Sequence, residues 1–411
     1  MTRLRLMRIY LAPCGMGVGH ISRCKTIANL LAEHDWSIFV STYSDGLEYA
    51  KGLGYPLVET VPVTMKTNSD GGIDFKLTAA TSPGLFRGLW SILRQIIAEM
   101  RNIQRIKPAL VVSDSRASSL IAARLLRVPS IAILNQFSIK LVRRPSRGRM
   151  GILDKIFFLI ANTIWFLVNP IIGGFWSFAD KILIPDLPLP YTISYENLAI
   201  PRSCTQKVEF IGPLLKQIPT NPSKLVVRNH LGYDVNRPLI LVPLSVPLNE
   251  ESDFVEQVER VLEKLPDSLQ IVMSRGRICS SAEAQRKKNI TVYDWIFNLD
   301  DYLEACDMVI SRAGHHTILS SLAYGKPSLV IPIPDHPEQL RNARRASQLG
   351  VAKVLSADEL TVDRLVSAID DILNTHSYAG NASAMGDLMR KMKSTEEVIE
   401  VIEQLSQRRH A

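Results

Sequence analysis

Two doubly wound parallel sheets, an α/β fold of two Rossmann-like domains facing a central cleft, are predicted for this chain by three observations. Short apolar strands alternate with helix-period segments along nearly the whole sequence, which is the pattern of a parallel sheet covered by helices. Each half carries a small-residue turn between a strand and a helix, Cys14 to His20 in one and Ser311 to Gly314 in the other. The length of 411 residues is long for one domain and suits two of about 200. The predicted boundaries are 1–215 and 216–390, with a C-terminal helix in 391–411.

In the first half, Arg8 to Ala12 reads as a strand, followed by the glycine turn and a helix from about Ser22 to Glu33. Ser37 to Ser41 is the second strand. The polar stretch between Val63 and Gly84 is too long for a plain connector. Leu85 to Lys107 repeats apolar residues at Leu85, Leu89, Ile92, Ile96, Met100 and Ile103, the signature of an amphipathic helix covering a sheet. Strands follow at Ala109 to Ser113, ending in Asp114, then at Ser130 to Leu134 and Lys181 to Pro185.

Near Glu209 to Pro213 the pattern resets, and Lys216 to Lys224 reads as a linker. Strands are then expected at Leu239 to Pro243, Gln270 to Ser274, Ile290 to Tyr293, Asp307 to Ile310 and Pro327 to Ile333. Helices are expected around Phe254 to Lys264, His315 to Tyr324 and Thr395 to Arg408.

The stretch Ile310 to Ala343, ISRAGHHTILSSLAYGKPSLVIPIPDHPEQLRNA, carries the most chemistry. A helix starting at His315 exposes unpaired N–H groups and the positive end of its dipole, which suits a phosphate or diphosphate. Gly314 lets a phosphate approach the backbone, and Thr317 adds a hydroxyl. The polar loop Pro334 to Gln339 follows the next strand, so both loops face the crevice at the carboxyl ends of the strands. A capped helix in an ordinary βαβ unit is the simpler alternative.

This segment resembles the donor-binding signature of the GT-B glycosyltransferases, above all the MurG and monogalactosyldiacylglycerol-synthase group, whose turn is Ser-Arg-(Ala/Ser)-Gly-x-x-Thr. The resemblance implies that Arg312, Gly314, His315, His316 and Thr317 lie at the donor diphosphate, and that Glu338 and Gln339 meet the sugar hydroxyls. It likewise places Ser245 at phosphate, Arg275 near the nucleotide, and Trp295, Ile296 and Phe297 at the base. Ser320 stands where the family usually has a Glu for the ribose hydroxyls.

The other turn, Gly15-Met16-Gly17-Val18-Gly19-His20-Ile21-Ser22-Arg23, is similar to the Gly-x-Gly-x-Gly-His-x-x-Arg pattern of archaeal-type transferases. Taken alone, Gly17 and Gly19 after a first strand fit a dinucleotide fingerprint weakly, and the second strand ends Val40-Ser41-Thr42 without the acid a nicotinamide site wants. A histidine at a helix start is suited to take a proton near neutral pH. His20 is therefore the candidate general base or acceptor contact, with Asp114 orienting it or serving as the base itself. No Asp-x-Asp occurs, so a metal-independent displacement with inversion is expected, without a cofactor.

Net charge +8 and pI near 9.2 call for an anionic partner. Lys140, Arg143, Arg144, Arg147 and Arg149 stand without an acid just before Ile156 to Ala179, which has no charge at all and contains Trp165, Phe166, Trp176 and Phe178. Basic residues beside apolar aromatics suit an anionic membrane surface rather than nucleic acid. Pro170, Gly173 and Gly174 interrupt the segment, so a bent helix within 140–179 lying in the interface is expected, with a transmembrane or buried helix as alternatives. The scattered, odd set of five cysteines suits a reducing compartment, and Met1 to Arg8 runs straight into a strand without the look of a cleavable leader.

These readings add up to a peripheral transferase on the inner face of the cell membrane. It would move a sugar from a UDP-sugar, UDP-GlcNAc or another UDP-hexose, to a lipid or polyprenyl-diphosphate-linked acceptor. A nucleotide-sugar epimerase and a catalytically silent nucleotide-sugar or lipid-binding subunit are the alternatives.

Overall fold

The computed structural model describes residues 7–34, 36–62, 84–137, 151–152, 155–156, 159–160, 163, 173–216, 223–244, 253–278, 283–334 and 336–407. The polar stretch after Val63, the basic run 140–149, Trp165, Phe166 and Ser245 lie outside them.

Seven strands form the first sheet: β1 (Arg8–Pro13), β2 (Ser37–Thr42), β3 (Leu57–Glu59), β4 (Leu110–Asp114), β5 (Ser130–Ile133), β6 (Lys181–Ile184) and β7 (Val208–Phe210). All pair in parallel, in the order 3-2-1-4-5-6-7. The second sheet contains β8 (Leu239–Pro243), β9 (Gln270–Ser274), β10 (Ala284–Lys287), β11 (Ile290–Tyr293), β12 (Met308–Ser311), β13 (Ser328–Val330) and β14 (Ala352–Val354). Its order is 10-11-9-8-12-13-14, parallel except for the antiparallel edge strand β10.

In each sheet the chain reverses its winding beside a central strand, between β1 and β4 in one and between β8 and β12 in the other. Ligands of open α/β sheets bind outside such switch points. The glycine turn follows β1, Asp114 ends β4 and the turn before His315 follows β12, so topology alone sends these groups to the crevice.

Three elements differ from the sequence expectation. The pattern reset near Glu209 conceals β7, the last strand of the first sheet, because three half-buried residues are too few for a periodicity. The exposed strand β10, whose one apolar residue is Ala284, carries no alternating apolar signal and is held by its hairpin with β11. The Gly84–Ile106 helix does cover the first sheet, but it buries Gln95 and Glu99 with Ile103 and Ile106, while Trp90, Ile92, Leu93 and Ile97 are exposed. Polar partners inside the protein draw that face inward, as the next subsection details.

The Ser394–Gln407 helix inserts Val398, Ile399, Val401, Ile402 and Leu405 into the core of the first half, beside Ile21, Ile27 and Leu31 of the Gly19–Glu33 helix. The halves also meet where the Pro337–Gln348 helix faces the loop after β6: Asn197 Nδ2 donates to Asn342 Oδ1 at 2.9 Å, and Arg345 Nε to the Thr192 carbonyl at 3.1 Å. Among the described residues no helix is long and apolar enough to cross a membrane.

Candidate active site in the interdomain cleft

The glycine turn is built for close approach. A Cβ on Gly15 would lie 2.0 Å from the Tyr43 carbonyl oxygen, and Gly17 has φ +72°. Asp45 accepts from the Gly17 N–H at 3.0 Å, so the turn is tied to the start of the Ser44–Lys51 helix. Behind it lies a buried polar network that sequence reasoning missed. Arg116 Nη2 is 3.0 Å from Glu99 Oε2, and its Nη1 donates to the Ser41 carbonyl at 2.9 Å. Glu99 also accepts from Tyr10 at 2.9 Å and from Ser41 at 3.1 Å. This network joins the carboxyl ends of β1 and β2 to the Gly84–Ile106 helix and thereby sets the base of the turn.

His20 opens the Gly19–Glu33 helix, and its Nδ1 lies 2.7 Å from Asp114 Oδ1. Arg23, one turn on, grips the same carboxylate with Nε at 2.9 Å and Nη2 at 2.7 Å. Burial pushes the Asp114 carboxyl upward, but the Arg23 guanidinium and His20 outweigh it and hold it at about 2. An ionised carboxylate only accepts, so the proton of that contact sits on Nδ1 of His20. The Arg23 Nη2 group 2.9 Å from the same Nδ1 therefore crowds it without a hydrogen bond and serves the carboxylate. With its Nδ1 proton directed at Asp114, the ring presents Nε2 to the cleft, the arrangement a general base requires.

Across the cleft the His315–Ala323 helix starts from Gly314. His315 is buried, its Nε2 is 2.9 Å from Asp186 Oδ2 at the end of β6, and its Nδ1 is buried without a hydrogen-bond partner. Asp186 is itself fully buried and accepts from the Ile193 and Ser194 amides and the Ser194 hydroxyl. A residue of the first half thus orients an imidazole at the helix start of the second. Neither Asp186 nor this pairing carries a sequence signal, since the partners are far apart in the chain.

His316 meets Ser22 of the first half, Oγ to Nε2 at 3.4 Å. Burial, with Arg23, His315 and His20 nearby, pushes its pKa down to about 3. A histidine held neutral in the fold while the unfolded chain protonates near 6.5 opposes folding in acid. Stability is thus expected to fall as pH drops from about 6.5 towards 3, and His316→Asn should flatten that part of a plot of melting temperature against pH. An unchanged slope would locate the acid sensitivity elsewhere.

The two helix starts open on one cleft-shaped cavity of about 2060 Å³. Gly17, Gly19 and His20 line it from the first half, and Gly314, His315, His316 and Thr317 from the second. Ile296 and Phe297 form another part of its wall, together with Trp295, whose ring makes an edge contact with Tyr49 at 5.9 Å. Glu338 and Gln339 also line it. Glu338 accepts from Asn135 Nδ2 at 2.9 Å, an interdomain contact, while Gln339 Oε1 accepts from the Ile333 amide at 2.9 Å and steadies its own loop.

Three of the expected site residues are placed elsewhere. Arg275 does not line the cavity: Glu259 grips it at 2.8 and 2.9 Å and Asp294 lies at 3.2 Å, so it is a structural ion-pair centre. Arg312 also stands outside the lining, its guanidinium 3.5 Å from the centre of the Phe254 ring. Trp176 does not face a membrane. It is 8% exposed in an apolar cluster with Leu134, Phe137 and Ile182, because the chain returns to the sheet through β6 directly after it. Asp114 stands behind His20 and does not line the cavity, a position that fits the first of its two expected roles, orienting the imidazole.

Comparison with known proteins agrees with this fold. Residues 249–402 match the Glycosyltransferase family 28 C-terminal domain. Over 97% of this chain and 96% of its own length, an uncharacterized glycosyltransferase of Methanosarcina acetivorans is 26% identical. The UDP-N-acetylglucosamine–N-acetylmuramyl-(pentapeptide) pyrophosphoryl-undecaprenol N-acetylglucosamine transferase 2 of Bacillus thuringiensis is 35% identical over 31% of this chain and 36% of its own. Among solved structures, the glycosyltransferase SnogD from Streptomyces nogalater superposes with a TM-score of 0.63 at 17% identity, covering 98% of this chain and 100% of its own. The glycotransferase of kitacinnamycin gives 0.64 at 17%, covering 98% and 99%.

Fold and likeness to known proteins together define a glycosyltransferase of the GT-B class. Within that class, residues 249–402 resemble the family 28 C-terminal domain, and the whole chain is similar over its length to uncharacterized archaeal glycosyltransferases.

Proposed function

We propose that this glycosyltransferase moves a hexose from a UDP-sugar to a hydroxyl of a lipid or lipid-linked acceptor, with inversion and at a membrane surface. The observation that carries this reading is the meeting of two helix starts in one cavity: His20 with a free Nε2 on one side, His315 with an unpartnered Nδ1 on the other. A donor diphosphate at the His315 helix start would gain backbone N–H groups and the helix dipole, which stabilise the departing nucleoside diphosphate. His20 would take the acceptor proton as the new glycosidic bond forms on the opposite face of the sugar. Glu338, held down by His336, His315, His20 and Arg23 against the upward push of burial, offers an ionised acceptor for sugar hydroxyls. The lipid-linked acceptor is suggested by the partial likeness to the undecaprenol-linked enzyme.

Exposed apolar residues support a membrane-facing surface. Trp90, Leu93 and Ile97 lie one helical face apart from the sheet, next to exposed Arg94 and Arg101. Ile152, Ile156, Leu159 and Ile160 are exposed as well. Apolar and basic side chains on one helix face suit anionic lipid. Replacing Trp90 and Leu93 together by Ser should lower sedimentation with phosphatidylglycerol vesicles by about tenfold or more, given the apolar area withdrawn, and leave nucleotide binding intact. Equal sedimentation would remove this surface from the reading.

The test of the reaction is direct. Purified protein, membrane lipid extract and a panel of nucleotide sugars are incubated, and nucleoside diphosphate release and new glycolipids are followed by mass spectrometry. Release of UDP coupled to a glycosylated lipid is expected; no release from any donor would defeat the proposal.

A further inference from the structure

Asp186, on the loop after β6, is fully buried and saturated with donors. Its Oδ1 accepts from the Leu187 and Ile193 amides at 2.7 and 3.2 Å, and its Oδ2 from the Ser194 amide and hydroxyl at 2.7 and 2.6 Å. His315 Nε2 meets the same Oδ2 at 2.9 Å. Burial pushes this carboxyl upward, but His315 and the hydrogen bonds from His315 and Ser194 outweigh it and hold it below the ordinary range. An ionised carboxylate only accepts, so the proton of the contact sits on Nε2 of His315.

That proton decides what a ligand meets. His315 is 4% exposed at the cavity wall, and its Nδ1 is buried without a hydrogen-bond partner. In the neutral ring this atom holds a bare lone pair, which repels a phosphate oxygen that the helix N–H groups attract. A second ring proton turns Nδ1 from acceptor into donor. The helix dipole opposes that positive charge in the empty site, and the Asp186 carboxylate favours it. An anion seated at the helix start tips the balance towards the imidazolium. The other titratable groups around the ring are His316 beside it and Glu338 from the Pro337–Gln348 helix, on both of which Arg23 and His20 of the first half also act, with His336 acting on Glu338.

We propose that a nucleoside diphosphate enters this cleft together with a proton, taken up at Nδ1 of His315, and that Asp186 is the positioning residue that makes the uptake possible. This inference rests on the donor reading above and adds to it the proton and the half of the chain that supplies the counter-charge. One proton from solvent forms the Nδ1–H bond on binding and returns to solvent as the diphosphate leaves. Asp186 and His315 belong to different halves, so the counter-charge is present only while the halves meet. Diphosphate affinity is thereby tied to the interdomain contact.

Calorimetric titration of the full chain with UDP at about pH 8, in buffers of different ionisation enthalpy, counts the protons. A terminal phosphate, with a second pKa of about 6, has none left to exchange there. Wild type is expected to take up about 0.5–1 proton per UDP, so its affinity falls as pH rises, by up to about tenfold per unit. His315→Asn should bind UDP about tenfold more weakly near neutral pH, the scale of a hydrogen bond to a charged group, and exchange no proton. Asp186→Asn should approach the same behaviour although Asp186 does not line the cavity. Wild type that binds UDP without uptake overturns the proposal. Uptake that persists in His315→Asn assigns the proton to another group and overturns it too, and full uptake in Asp186→Asn removes the part given to Asp186. Should Asp186→Asn fail to fold, Ser194→Ala takes its place. It strips one donor from the oxygen that His315 meets and leaves that oxygen more negative. The fall in affinity should then move to higher pH, and an unmoved profile overturns the role of Asp186. Wild type that binds neither UDP nor GDP nor ADP instead defeats the donor reading itself and this inference with it.

Discussion

Replacing His20 by Asn is expected to lower turnover by about 10²–10⁴-fold, the usual range for a lost general base, with the donor KM nearly unchanged. The asymmetry follows from position. His20 faces the cleft from the first half, while the groups proposed for the diphosphate stand at His315 to Thr317 in the second. Asp114→Asn should also depress kcat, because an amide can donate to Nδ1 and present the wrong tautomer at Nε2. That variant has a second consequence. The carboxylate is held at about 2 in the fold against 3.8 ordinarily, so its ionisation favours folding above about pH 4 and loses that effect as pH falls towards 2. Asp114→Asn removes this contribution at neutral pH and leaves Arg23 buried without its counter-charge, so it should be destabilised, while His20→Asn, at a more exposed position, should not. Steady-state kinetics alongside urea denaturation separate the two effects. A His20→Asn enzyme with wild-type kcat would end its assignment as the base.

Glu99→Ala is expected to destabilise the first half by about 3–5 kcal/mol, the cost of breaking a buried ion pair from one side. Both side chains are essentially buried, and Glu99 accepts from Arg116, Tyr10 and Ser41 together. Its loss leaves the Arg116 guanidinium, 3% exposed, with neutral partners, the Pro13 and Ser41 carbonyls and the Ser41 hydroxyl. Because Arg116 also holds the ends of β1 and β2, activity should fall with stability even though Glu99 is remote from the cavity lining. Urea unfolding of Glu99→Ala, Arg116→Ala and the double variant measures this. The double variant should cost well under the sum of the singles. A cost for Glu99→Ala below about 1 kcal/mol, the worth of an exposed pair, would show the network to be incidental.

The strands of both sheet centres were legible because buried parallel strands are continuous apolar runs, as in Leu110–Asp114 and Gln270–Ser274. The elements missed were those with little apolar content, β7 and β10. The Gly84–Ile106 helix shows a subtler failure. Its apolar positions were readable, yet buried Arg116 and Ser118 offer partners to Glu99 and Gln95. A satisfied buried polar group fits inside, so the helix leaves Trp90 and Leu93 outside. Trp176 fails in the opposite direction: it packs inward on Phe137 and Ile182, contacts that an apolar aromatic run does not announce by itself.

By itself, the sequence determined the architecture, the glycine turn with His20 after it, and the helix start at His315, since strand runs, small-residue turns and capping preferences act over a few residues. Only the tertiary structure decided which distant groups serve them. Asp114 behind His20 and Asp186 behind His315 are each brought into place by the order of strands in a sheet or by the facing of two halves. It also withdrew Arg275 and Arg312 into contacts with Glu259 and Phe254. The physical reason is range: local chemistry writes turns and caps, whereas the charge that orients an imidazole comes from wherever packing places an ionised carboxylate.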